Sequence, residues 1–170
     1  MTVDLGRLFE TFTVSAFRLE TLPTYNVPQD TEWLRRFRAG MPRPQERDDR
    51  PWLQTVRRAI VRGARMQRVR MVQSPLTEYQ RFQFSWGYPE NEGAGEETYI
   101  LDYEPPGLLR VDFWLFDDSR VIVLEYDDAG RFLRPVEAET VEPYRQARDM
   151  ALKSSVPFRE YRSRSHVEQR

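Results

Sequence analysis

The sequence predicts an α/β domain, with α+β as the alternative: one twisted, mixed sheet flanked by helices and preceded by an N-terminal arm. Three observations carry this. A helical apolar stripe passes into a strand-like alternation between Trp52 and Val72. Several short strands separated by tight-turn residues follow between Thr98 and Val136. A last amphipathic helix then spans Glu137–Lys153. A chain of 170 residues fits a single domain, which at this size buries roughly 70% of its unfolded surface. The expected organisation is an N-terminal arm and short helix over residues 1–50, an α/β core over 51–158, and a polar, disordered tail over 159–170.

At the N-terminus Leu5, Leu8, Phe9 and Phe12 form a helical stripe, and Ala16–Glu20 then alternates as a strand does. Pro23 and Pro28 bracket an extended arm. Asp30 or Thr31 suits the cap of a helix over Glu32–Ala39 that Gly40 stops, and Met41–Pro51 reads as a loop. From Trp52, the residues Leu53, Val56, Ile60 and Val61 share a helix face that Gly63 closes. Arg65–Val72 alternates as a strand. Ser74-Pro75 opens a helix that should run to about Ser85, and Tyr88–Glu97 reads as an acidic, Gly-containing loop. Thr98–Tyr103 is a strand. Val111–Phe116, Arg120–Tyr126 and Arg131–Val136 read as a meander turned by Asp117-Asp118 and by Asp127–Gly130. Thr140 is the candidate cap of the last helix.

Charge is segregated rather than abundant: 26 basic residues stand against 27 acidic ones, yet no Asp or Glu occurs from Pro51 to Thr77. That stretch holds Arg57, Arg58, Arg62, Arg65, Arg68 and Arg70. If these share a face, the field attracts an anion or a partner surface. Asp112 and Glu125 are the carboxylates most suited to face that run, or to line a pocket with it. Nucleic acid is a weaker expectation, because the sequence pI of about 6.0 is unlike that of a typical DNA binder.

Much catalytic chemistry is missing from the composition. There is no Cys and one His, His166, in the polar tail. Ser/His/Asp triads and Cys- or His-based metal sites are thereby excluded, and no metal site is expected. Lys153 is the sole lysine, at a helix end where no Schiff-base role is expected. No Walker sequence or dinucleotide fingerprint is present, so no cofactor is expected, and no catalytic residue is assigned. The N-terminus lacks the pattern of a signal peptide, no stretch is apolar enough for a membrane span, and a cytoplasmic location is expected.

Two resemblances add to this. Asp112–Asp118 with Val121, Tyr126-Asp127 and Gly130, together with Arg62-Gly63, Arg68–Val72 and Ser74–Tyr79, resembles an actinobacterial domain-of-unknown-function family over about Phe9 to Phe158. That likeness implies a regulatory role with a protein partner, such as a helix-turn-helix regulator, because members are often encoded beside such regulators. The helix ending at Arg62-Gly63, the Val-rich strand after it and the Phe116-Asp117-Asp118 hairpin also resemble half of the phospholipase D-like fold. That superfamily works through a His-x-Lys motif, which this sequence lacks. The leading expectation is a non-catalytic regulatory or protein-interaction module with an Arg-lined, anion-attracting face. The alternatives are an enzyme acting on a phosphorylated or nucleotide-like substrate through carboxylates and Arg, and a nucleic-acid-binding accessory protein.

Overall fold

The computed structural model describes residues 2–168, and the side chains of residues 2–165. Its helices are Leu5–Thr11 (α1), Thr31–Arg38 (α2), Pro51–Val61 (α3), Glu78–Phe82 (α4), Tyr88–Ala94 (α5), Glu142–Ser154 (α6) and Phe158–Glu168 (α7). Its strands are Ser15–Glu20 (β1), Arg65–Met71 (β2), Glu97–Leu101 (β3), Phe113–Phe116 (β4), Arg120–Tyr126 (β5), Phe132–Glu137 (β6) and Val156–Pro157 (β7). They form one mixed sheet in the order β6-β5-β4-β1-β2-β3-β7, parallel across β1, β2 and β3 and antiparallel elsewhere. This is the α/β architecture expected.

The first correction concerns the N-terminus. β1 lies between β4 and β2, so residues 15–20 are the centre of the core rather than part of an arm. Only residues 21–50 behave as an arm. They cross the sheet and dock through Tyr25, Trp33, Leu34 and Phe37 onto Tyr79, Phe82 and Trp86. Gly130 in the β5–β6 turn fixes the crossing: at φ +75° its carbonyl accepts from Asn26 N–H at 2.9 Å, and an added Cβ would stand 2.5 Å from the Thr24 carbonyl oxygen.

The second correction concerns residues 74–97. Ser74-Pro75 lies in a turn, and Thr77 is the cap instead, sharing a reciprocal capping box with Gln80. α4 continues through one π-helical turn, Gln83–Gly87, into α5. The segment expected as a loop is therefore helical, with Pro89 in its first turn. It ends at Gly95, whose φ of 115° and whose closeness to Ile60 (2.6 Å for an added Cβ) exclude a side chain. Two smaller differences follow. α6 begins after Val141, and Thr140 does not cap it. The expected disordered tail is helical through Glu168, Phe158 being buried against Tyr88 and Ile100. The side chain of His166, and residues 169–170, lie outside what is described.

Strand alternation gives the sheet two unlike faces. Phe17, Leu19, Val69, Met71, Phe113 and Leu115 pack under Ala147 and Ala151 of α6. On the opposite face Ala16, Met66, Trp114, Phe116 and Ile122 pack under α1 and α3 at one end. Toward the other end, Arg18 and Glu20 of β1 pair in register with Arg68 and Arg70 of β2. That end is roofed by α4, α5 and the arm.

Candidate functional site: an ionic and aromatic cleft on the sheet

The six arginines of the acid-free run do not form one face. Arg57 and Arg58 are exposed on α3, where Arg57 reaches the Asp48 carbonyl and Arg58 reaches Thr55 Oγ1. Arg62 donates to the carbonyls of Phe9 (3.0 Å) and Phe12 and lies over the Phe12 ring. Arg65 pairs with Glu97 at the surface, its Nη2 donating at 2.9 Å. Arg68 and Arg70 are turned inward. A helix of period 3.6 and a strand of period 2 cannot aim these positions in one direction. Each inward arginine also needs partners to be buried.

The side-chain partners come from outside the acid-free stretch. Arg68 donates through Nη1 to Glu20 at 2.7 Å and through Nε to Glu96, and its guanidinium lies 5.6 Å from the ring centres of both Trp52 and Trp114. Glu96 also accepts from Trp52 Nε1 at 2.9 Å. Arg70, 0% exposed, donates to Gln83 Oε1 at 3.0 Å and to the carbonyls of Leu22, Pro23 and Met71. The π-helical turn begins at Gln83 and so shapes this contact; such turns recur at functional sites.

Asp112 lies just before β4. It accepts from Arg18 Nη2 at 2.9 Å, Thr21 N–H at 3.0 Å and Tyr25 O–H at 2.6 Å. It therefore belongs to the same buried network, facing Arg18 rather than the run. Glu125, in contrast, is on the outer side of β5 and pairs with Arg134 at 2.6 Å. It is not a pocket carboxylate, because its strand position is odd where Leu124 and Tyr126 face the site.

The arm and α5 add a second cluster. Arg47, 1% exposed, grips Glu90 with two bonds, from Nε at 2.7 Å and from Nη2 at 2.9 Å. It sits amid the rings of Trp33, Phe82 and Trp86, 5.1–5.4 Å from their centres. Arg50 Nη2 reaches Glu90 at 2.8 Å and Asn91 at 2.9 Å, and Arg43 reaches Glu90 at 2.8 Å. Three cations thus share Glu90. Arg47 Nη1 and Arg50 Nε are buried without a hydrogen-bond partner.

The electrostatics follow from burial and pairing. Burial alone would raise Glu20, but Arg68, Arg70 and Arg18 overcome it and bring its carboxyl down to about 2. Burial lifts Asp30, against the hydrogen bond from Tyr79 O–H (3.1 Å) and the fields of Arg47 and Arg50. Burial, aided by Asp112, also holds the Tyr25 phenol well above its usual range. For Arg50, burial outweighs Glu90 and lowers its pKa.

Between the two clusters lies a cleft of about 300 Å³. It is lined by Arg18, Glu20, Arg47, Arg50 and Arg68 and by aromatic walls from Phe9, Tyr25, Trp52, Tyr79, Trp114 and Tyr126. A larger groove of about 640 Å³ separates α1 from the edge strand β6. Its charged pair Arg120–Glu137 is exposed and already joined at 2.8 Å, and none of the buried unpartnered side-chain donors of the described residues lines it. The smaller cleft is the candidate site. Among the described residues no group of acids and histidines could hold a metal ion, and no helix is long and apolar enough to cross a membrane.

The architecture defines an α/β protein whose sheet resembles that of a phospholipase D family member, Nuc from Salmonella typhimurium. That likeness has a TM-score of 0.52 at 7% identity, over 89% of this chain and 86% of that one, and it shows the fold alone. Residues 3–163 match the model of a domain of unknown function, DUF6879, and the chain belongs to that family. A weaker superposition, TM-score 0.49 at 10% identity, involves TrmBL2, an archaeal chromatin protein, over 88% of this chain and 48% of that one. No curated protein matches the sequence.

Proposed function

We propose that this protein is a non-catalytic regulatory module that takes a small anion into the cleft between sheet and arm and acts through a protein partner. The cleft supports this reading. Guanidinium groups outnumber carboxylates among the residues that line it, and two of them, on Arg47 and Arg50, carry buried N–H groups that no described residue satisfies. Both atoms are closed to solvent, so an anion that enters as the arm yields would supply the missing acceptor. Arg47, Arg50, Tyr25 and Asp30 belong to the arm or its end, so occupancy would be felt by the segment that covers the sheet. The anion-attracting feature is then this cleft and not the exposed arginines of α3. The family resemblance favours a helix-turn-helix regulator as the partner and an actinobacterial cytoplasm as the setting.

The sequence bears on the hydrolytic reading as well. A phospholipase D-like sheet needs a His-x-Lys pair for its chemistry, and here the one His and the one Lys are at 166 and 153. Hydrolysis of bis(p-nitrophenyl) phosphate is expected at the buffer rate.

Thermal melting tests the binding reading. With inorganic phosphate, AMP and 2-naphthoate tried in turn, at least one should raise Tm by about 3–6 °C at ten times its Kd. If none does, or if the diester is turned over, the reading fails.

A further inference from the structure

Resting on the binding reading above, we propose that the cleft is built for an aromatic monocarboxylate, its carboxylate held by Arg47 and Arg50 and its ring lying against the aromatic wall. Three features of the site select this class.

The first is charge. Arg18, Arg47, Arg50, Arg68 and Arg70 are matched by Glu20, Asp30, Glu90, Glu96 and Asp112, all placed in or directly behind the cleft. In a network whose charges already balance, an added anion rests on the idle donors alone, and the cost of burying it rises steeply from one charge to two. A phosphate monoester brings close to two charges at neutral pH, whereas a carboxylate brings one. Asp30 reinforces the point: it is an anion already near these two arginines, engaged by Tyr79 O–H.

The second is donor geometry. The idle nitrogens are Nη1 of Arg47, an NH2 group, and Nε of Arg50, on residues one helical turn apart in number, both bordering the cleft and both already fixed by Glu90. A planar carboxylate offers two oxygens to two such donors. Phosphate has a third oxygen, and no third unpartnered buried side-chain nitrogen of the described residues faces it, the remaining unpartnered atom being the hydroxyl of Thr98 on β3.

The third is size and lining. About 300 Å³ is at the small end of ligand cavities and suits one or two rings. Trp52 and Trp114 lie 5.5 Å apart between ring centres, and Tyr25 and Tyr126 lie 5.2 Å apart, so the opposite wall is aromatic. Flat apolar bodies are favoured there by edge and face contacts.

Calorimetric titration of the intact chain with 2-naphthoate, its neutral analogue 2-naphthamide and its dianionic analogue 2-naphthyl phosphate separates the outcomes. The proposal expects 2-naphthoate to bind at least tenfold more tightly than either analogue. It also expects Arg50→Gln to weaken 2-naphthoate at least tenfold while changing 2-naphthamide little. If 2-naphthyl phosphate or inorganic phosphate binds more tightly than 2-naphthoate, the monocarboxylate class is wrong and the anion cleft stands. If no anion binds, both readings fall. The three probes on the unaltered chain decide the class even if Arg50→Gln does not fold.

Discussion

On β1 and β2 neighbouring residues face opposite ways into equally dry surroundings. Leu19 and Val69 turn toward α6, and Glu20 and Arg70 turn toward α4, α5 and the arm. Leu19 and Arg70 are each 0% exposed. One face is held by apolar area removed from water, tolerant of imperfect direction. The other is held by donors and acceptors that must all be matched, because a buried ion left alone costs far more than a lost methyl group. The first face can be stable and chemically mute. The second is specific, and where its matching is incomplete, at Arg47 and Arg50, it has capacity for a ligand.

Removing one member from each face tests this contrast. Arg68→Ala strands Glu20 and Glu96 and should lower stability by about 3–5 kcal/mol, read by urea denaturation. Joint replacement of Arg68, Glu20 and Glu96 by apolar residues of similar size should recover much of that loss. A loss under about 1 kcal/mol for Arg68→Ala would mean that the network is dispensable. Leu19→Ala on the apolar face should cost about 3 kcal/mol through a cavity, with no such rescue by removing a partner.

Acid sharpens the comparison, since the buried carboxylates Glu20, Glu90, Glu96 and Asp112 all belong to the ionic face. Glu20 has a folded pKa near 2 against an ordinary 4.5. A depressed carboxyl contributes stability that is fully present above its unfolded value and is lost as pH falls through the folded one. The contribution, about 3 kcal/mol, should therefore fade between about pH 4.5 and 2. Denaturation midpoints measured across that range should be flatter in Glu20→Gln, and equal slopes would contradict the account.

Gly130→Ala tests the roof over the ionic face. The added methyl meets the Thr24 carbonyl at a positive φ, so a loss of about 1–2 kcal/mol is expected, together with faster amide exchange at Asn26. Smallest of all, Arg65→Ala removes an exposed pair with Glu97 and should cost under about 1 kcal/mol, less still at high salt.

The two faces were unequally legible in the sequence. The apolar one was readable, since the alternation through Val69 and Met71 locates β2 closely; α3 on the other face was placed by Leu53 and Val56, but Ala59 completes its buried side, and Ile60 and Val61, expected there, are exposed. Likewise Asp117 and Asp118 sit in the hairpin turn expected of them, with φ of 49° and 55°. Aromatic residues of the N-terminal half proved to be largely core. The ionic face was not readable, because its counter-ions are remote in sequence. The acid-free run looks unpaired, yet Glu20 of β1 and Glu96, just before β3, reach Arg68, and Glu97 of β3 reaches Arg65. One signal was available: Arg18 and Glu20 alternate on one strand as Arg68 and Arg70 do on another, and in-register pairing sets Glu20 beside Arg70 and within reach of Arg68. Helix α5 was missed because Gly93 in its last turn and Gly95 just after it suggest a loop. Glu125 was misplaced because pairing alone does not say which side of β5 faces the site.

The account stands or falls on whether the unused arginine donors meet an anion. The Arg50 Nε–H resonance of the 15N-labelled protein reports this directly during titration with 2-naphthoate. The prediction is a saturable downfield shift at Arg50, accompanied by Trp52 and Asn91, while Arg57 and Arg58 stay still. An unmoved Arg50 signal, with shifts confined to those exposed arginines of α3, would contradict it.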